Sequence, residues 1–253
     1  SSSPVPTDTK SKGVNPNSRL VVDAPIRAFH WLFALSFLGA YVSGDTERWR
    51  ILHVSLGYTM LGLLAFRLIY GIVGPRHARL KLLWGKLSTG PAWIRNVFSS
   101  GAAKAPTNWQ QGQNLTMAIA IFLLLALTLP LTISGIATFH EWGASFGDEW
   151  LEEIHEFLGE AMLMLVLFHL ALITMLSVMR RKNLATPMIT GRLRGSGPDL
   201  IQKPRTWLAL VLVVCVCAYW YWEWQQTSPL KSPTSSSTHN KPQASSKLDD
   251  EDD

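Results

Sequence analysis

Four histidines set in apolar stretches are the residues whose type and spacing could do chemistry. His30 lies in FHWLFALSFLGAYVSG, His53 near the start of ILHVSLGYTMLGLLAFRLIYGIV, and both His155 and His169 in IHEFLGEAMLMLVLFHLALITMLSVMRR. A neutral imidazole offers a ring nitrogen to a metal, and a polar ring held in hydrocarbon needs a partner. His155 and His169 are separated by nearly a whole number of helical turns. They therefore share one helix face, about 21 Å apart along the axis. Two such residues on one face, one towards each side of a bilayer, suggest two ligands to two stacked groups.

The elements that must position them are membrane helices. Of the 253 residues 47% are hydrophobic and only 16% charged, which favours a membrane protein over a soluble domain. The eleven Trp fit that reading, since Trp favours the bilayer interface. Five stretches are long and apolar enough to span: Ile26 to Gly44, Arg50 to Val73, Asn114 to Phe139, Ile154 to Arg181 and Trp207 to Trp224. Pro130 is expected to kink the third. The predicted fold is an all-α integral membrane protein, a four-helix transmembrane bundle plus a fifth C-terminal transmembrane helix. Residues 1–19 read as a disordered cytoplasmic tail lacking the apolar core of a signal peptide, 20–195 as the domain of four spans that carries the histidines, 196–224 as a linker with the fifth helix, and 225–253 as a disordered acidic tail.

Charge distribution orients the spans. The net charge of +5 lies in connectors flanking apolar stretches, so it reports topology and implies no nucleic-acid partner. Gly74 to Gly112 and the segment after the fourth span are basic and are expected in the cytoplasm. EWGASFGDEWLEE carries five acids and no Lys or Arg and is expected outside. This puts the N-terminus in the cytoplasm and the C-terminus in the periplasm or exterior, with membrane lipid around a multi-pass chain. Cys215 and Cys217 form neither a disulfide framework nor a CxxC motif and read as small apolar fillers.

With antiparallel helices, His30 and His169 share the inner depth, and His53 and His155 the outer one. Two histidine pairs at two depths are what bis-histidine ligation of two b haems in a four-helix bundle requires. The four rings are thus candidate iron ligands as well as cofactor-binding residues. Arg27 and Arg67 return to the same faces near the inner depth, where they either snorkel to the interface or pair haem propionates. Gly57 and Gly159 each follow an outer histidine by one turn. They are either ordinary packing glycines or room for a haem edge. Glu160, slightly deeper than His155, either leans towards water or handles protons. His77 and His140 read as surface residues of connectors.

DAPIRAFHW at Asp23 to Trp31, LHVSLGYTMLGLLAFRLIYGIVGPRHAR at Leu52 to Arg79, GQN before the third span, HEFLGEAMLMLVLFH and NLATPMITGR at Asn183 to Arg192 together resemble the bacterial cytochrome b561 family, which includes the b-type cytochrome subunits of nickel-iron hydrogenases. The resemblance covers residues 20 to 195. It implies a four-helix, di-haem membrane protein passing electrons between the quinone pool and a redox partner, with His30, His53, His155 and His169 as axial ligands. The fifth span, the acidic tail and the Gly159-Glu160 pair depart from it. The preferred expectation is electron transfer between quinol and a periplasmic c-type cytochrome. A second is the membrane anchor of a hydrogenase or other dehydrogenase complex, and a third a histidine-based metal transporter. No nucleophile, general-base pair or phosphate loop appears, so any enzymatic activity is expected to be a quinone-linked oxidoreductase one.

Overall fold

The computed structural model describes residues 18–98, 109–142, 149–195, 199–201 and 203–227. Its helices are α1 (Ala24–Ser43), α2 (Arg50–Val73), α3 (Leu80–Ser88), α4 (Gly90–Phe98), α5 (Trp109–Phe139), α6 (Glu149–Arg180), α7 (Thr186–Thr190) and α8 (Thr206–Thr227), with two short strands, β1 (Ser18–Leu20) and β2 (Arg192–Arg194). Five of these, α1, α2, α5, α6 and α8, are long and apolar enough to cross a membrane. The chain is an all-α integral membrane protein.

Local signals explain the helix boundaries. Pro25 sits in the first turn of α1, where its missing N–H costs nothing, and Gly74 ends α2 with its N–H bonded to the Tyr70 carbonyl at 3.0 Å. α5 continues through Pro130 as one helix. Buried hydroxyls along it bond back to their own helix, Thr128 to the Leu124 carbonyl at 2.7 Å and Thr132 to that of Thr128 at 2.9 Å, so none is left bare in the apolar interior.

Several boundaries differ from the sequence reading. Ser18 and Arg19 belong to β1, which pairs antiparallel with β2. A tail ending at Arg19 would have excluded them, because a pairing partner so far along the chain leaves no local pattern. The acidic stretch is shorter as a connector, since Glu149 already begins α6 and its first-turn acids suit a helix N-terminus. The basic connector contains α3 and α4, and α5 starts at Trp109. Residues 1–17 and 228–253, including the acidic end, lie outside the described residues, as does the side chain of His77.

Packing follows two pairs. α5 runs along α6 and α1 along α2, α2 joins the pairs by packing on α5, and α8 lies along α1. Midway along, Phe37, Met60, Leu131 and Met162 form a buried apolar layer, one residue from each of α1, α2, α5 and α6. Met162 has no solvent exposure.

One end of the bundle, here the strand end, is covered by chain from three places. β1 and β2 pair there, the Val21 and Val22 N–H groups both bond the Gly191 carbonyl, and Ala24 N–H bonds the Pro204 carbonyl. Gly191 stands at φ 78°, and a Cβ on it would meet the Val22 carbonyl oxygen at 2.9 Å. Only glycine fits that turn. The other end, here the connector end, carries the α1–α2 and α5–α6 junctions and opens into a cavity.

Candidate functional site

The heptad spacing of the helices stacks the site in layers. On α6, His155, Met162 and His169 fall at every seventh residue, and on α2 so do His53, Met60 and Arg67. Each step rises about 10 Å. The apolar layer thus lies between two histidine levels, with His53 and His155 on its connector side and His30 and His169 on its strand side. All four rings are half-buried.

The connector-side pair is brought together most clearly. The rings of His53 and His155 stand 5.9 Å apart, centroid to centroid, at an interplanar angle of 89°. Two imidazoles sharing one metal ion through metal–nitrogen bonds of about 2 Å stand with centroids roughly 6 Å apart, so this spacing admits an ion between them. Each ring is also anchored from behind. His53 Nδ1 bonds the Ala40 carbonyl at 2.8 Å, and His155 Nδ1 lies 3.1 Å from both the Leu131 carbonyl and the Ser134 hydroxyl. A carbonyl only accepts, so both Nδ1 atoms carry the proton and Nε2 is left as the ligating nitrogen. This is the arrangement that orients metal-bound histidines and raises their basicity.

Around these rings lies a cavity of about 500 Å³ lined by Phe37, Met60 and Leu131 at its base and by Gly57, Gly135 and Gly159 on its walls. A Cβ added to Gly57 or Gly159 would meet nothing within 4 Å, so both glycines face open space. Gly135 does something different. Its Cβ would stand 2.7 Å from His155 Cε1, so its missing side chain is what lets that ring lie against α5. Gly44 differs, since a Cβ on it would only touch the His53 ring, at 3.5 Å.

On the strand side, the Nδ1 atoms of His30 and His169 are each buried without a hydrogen-bond partner. A buried polar atom left in that state calls for a ligand or a reorientation of its ring. Arg27 donates to the Ile189 carbonyl at 2.9 Å while its Nε is buried without a partner, and Arg67 donates to the Ala78 carbonyl at 3.1 Å. Both guanidiniums are half-buried cations at or near this level. Trp31 Nε1 bonds the Met188 carbonyl at 2.9 Å, tying α1 to α7 beside Arg27.

Other singled-out residues lie apart. Glu160 is exposed on α6 and does not line the cavity. His140 is exposed at the end of α5, where its Nε2 lies 3.1 Å from the Tyr58 hydroxyl. Cys215 and Cys217 are exposed free thiols on α8. Sequence reasoning missed Gly135, Ser134, Ala40 and the layer. Met162, midway between two histidines on one face, was the one signal for the layer, whereas nothing in the chain distinguished Gly135 from other helical glycines.

The connector-side residues fit a flat group ligated from two sides: paired rings with anchored Nδ1 atoms and small walls where its edge would lie. A profile of the family described as prokaryotic cytochrome b561 matches residues 21–191, which takes in α1 to α7 and leaves α8 outside. Neither the curated proteins nor the solved structures returned a match. The chain therefore belongs to the prokaryotic cytochrome b561 family, integral membrane proteins that transfer electrons by means of haem b.

Proposed function

We propose that the protein carries electrons across the membrane through two b haems, one held by His53 and His155 and the other by His30 and His169. The observation that carries this is the perpendicular His53–His155 pair at 5.9 Å, with both Nδ1 atoms tied back to protein oxygens. The haem supplies reversible one-electron chemistry, and the protein supplies ligands, spacing and field. Ala40, Leu131 and Ser134 hold the ring tautomers. Gly57 and Gly159 leave room for the macrocycle edge, and Arg27 and Arg67 supply charge for propionates. The layer of Phe37, Met60, Leu131 and Met162 excludes water between the two levels, so that electrons pass and hydrated ions do not.

In this reading the quinone pool is one reaction partner and a periplasmic c-type cytochrome or similar redox protein the other. The strand end faces the cytoplasm, in accord with its basic segments. The test is stepwise electron transfer in nanodiscs. A short-chain quinol should reduce the b haem, and an oxidised soluble c-type cytochrome should then reoxidise it. No reduction by any quinol, with dithionite reduction intact, would count against the quinone assignment.

A second reading, the haem-bearing membrane subunit of a hydrogenase or other dehydrogenase complex, has one observation in its favour. Glu160 is exposed on α6 within its spanning segment, where a partner helix would shield it. A dehydrogenase that stays bound through mild-detergent purification from the native membrane would favour it. The apolar layer counts against a histidine-based metal transporter, which needs a polar path between the levels.

A further inference from the structure

Asp23 is fully buried at the start of α1, although a carboxylate there is costly unless paired. Its side chain accepts a hydrogen bond from the buried Tyr70 hydroxyl at the end of α2. Arg67 is electrostatically coupled to both Asp23 and Tyr70. The fourth member comes from outside the family-matched region: Arg205, immediately before α8, acts electrostatically on the same Tyr70 hydroxyl. Arg205 holds a left-handed backbone at φ 47°, unfavourable for a residue with a Cβ. The Ala24 N–H to Pro204 carbonyl bond sets this segment of backbone beside the start of α1.

Arg67 lies fourteen residues after His53, the same interval that separates His155 from His169, so it stands at the strand-side histidine level. Asp23 lies seven residues before His30, about 10 Å away along α1. Charges at that range, Asp23 among them fully buried, act on whatever charge changes at the histidine level. The geometry points to Asp23 and Arg205 as opposed charge-positioning residues of the strand-side haem. Asp23 offsets Arg67 and lowers the potential of that site, and Arg205, delivered by α8, raises it. In this arrangement α8 is part of the redox apparatus. The inference rests on haem ligation by His30 and His169.

The experiment is potentiometric titration of the b-type absorbance in the full-length protein and in D23N and R205Q, with H169A marking which transition belongs to the strand side. D23N should raise the midpoint of that transition and R205Q should lower it, with the other transition unmoved. D23E should return the midpoint towards the wild-type value. Loosened packing would admit water and shift both variants in one direction, so opposite signs separate a field effect from a structural one. Shifts of the same sign, no shift in either variant, or shifts confined to the other transition would overturn the inference. Wild-type protein with no b-type transition would overturn the haem reading itself, an outcome distinct from intact transitions that the two variants leave in place.

Discussion

The two histidine levels are built differently. At the connector side each ring is held by a protein oxygen at Nδ1, and both border a cavity with glycine walls. At the strand side both Nδ1 atoms are buried without partners, Arg27 and Arg67 stand at or near the level, and chain from β1, β2 and the approach to α8 covers the end. The difference teaches that one bundle can present two unlike histidine levels, sharing α6 and taking the second ring from α2 at one and from α1 at the other. Donation from Nδ1 makes a ligand more basic and favours ferric iron, whereas nearby cations favour ferrous iron. Both effects act in one direction, so the connector-side haem is expected to have the lower potential.

The largest effect should come from joining the two levels. Met162→Asp places a carboxylate in the closed layer between them. The expected result is failure to assemble, read as loss of folded protein and of all b-type absorbance. Met162→Ala should instead fold with stability lowered by about 2 kcal/mol or more, seen as a lower thermal midpoint. If the aspartate variant keeps full haem content, the layer is not the closed barrier described here.

Next comes the ring support. Gly135→Ala puts a methyl group 2.7 Å from His155 Cε1. It should weaken haem retention at the connector side roughly 10-fold or more and leave the strand side intact. Gly159→Ala, which meets nothing within 4 Å, should be nearly silent, and Gly159→Leu should compete with the haem edge. Haem content after detergent washing reads all three. Equal effects of Gly135→Ala and Gly159→Ala would show that the cavity wall, not the ring contact, sets retention.

The smallest effect sharpens the electrostatic half of the comparison. Arg27→Gln should lower the strand-side midpoint modestly and leave the other unchanged, as spectropotentiometry would show. A higher potential at the connector side in the wild type would contradict the ordering argued above.

Much of this was legible in the chain because the bilayer restricts the choices. The five spans follow from apolar length alone, and helical periodicity is what set the four histidines at two levels as an expectation. What escaped were features set by contacts between helices. The approach of His155 to α5 depends on Gly135, twenty residues earlier and without a periodic signature. The pairing of Ser18 to Leu20 with Arg192 to Arg194 depends on two distant segments meeting at one end of the bundle. The burial of Asp23 depends on Tyr70, forty-seven residues later on α2, whose hydroxyl donates to it.

The most direct test is the reduced-minus-oxidised spectrum and haem-to-protein ratio of the purified wild type and of His30→Ala, His53→Ala, His155→Ala and His169→Ala. The account predicts two b haems per chain. His53→Ala and His155→Ala should each remove one and the same signal, and His30→Ala and His169→Ala the other. Loss of the same signal in His53→Ala and His169→Ala, or a wild type without b-type absorbance, would contradict it.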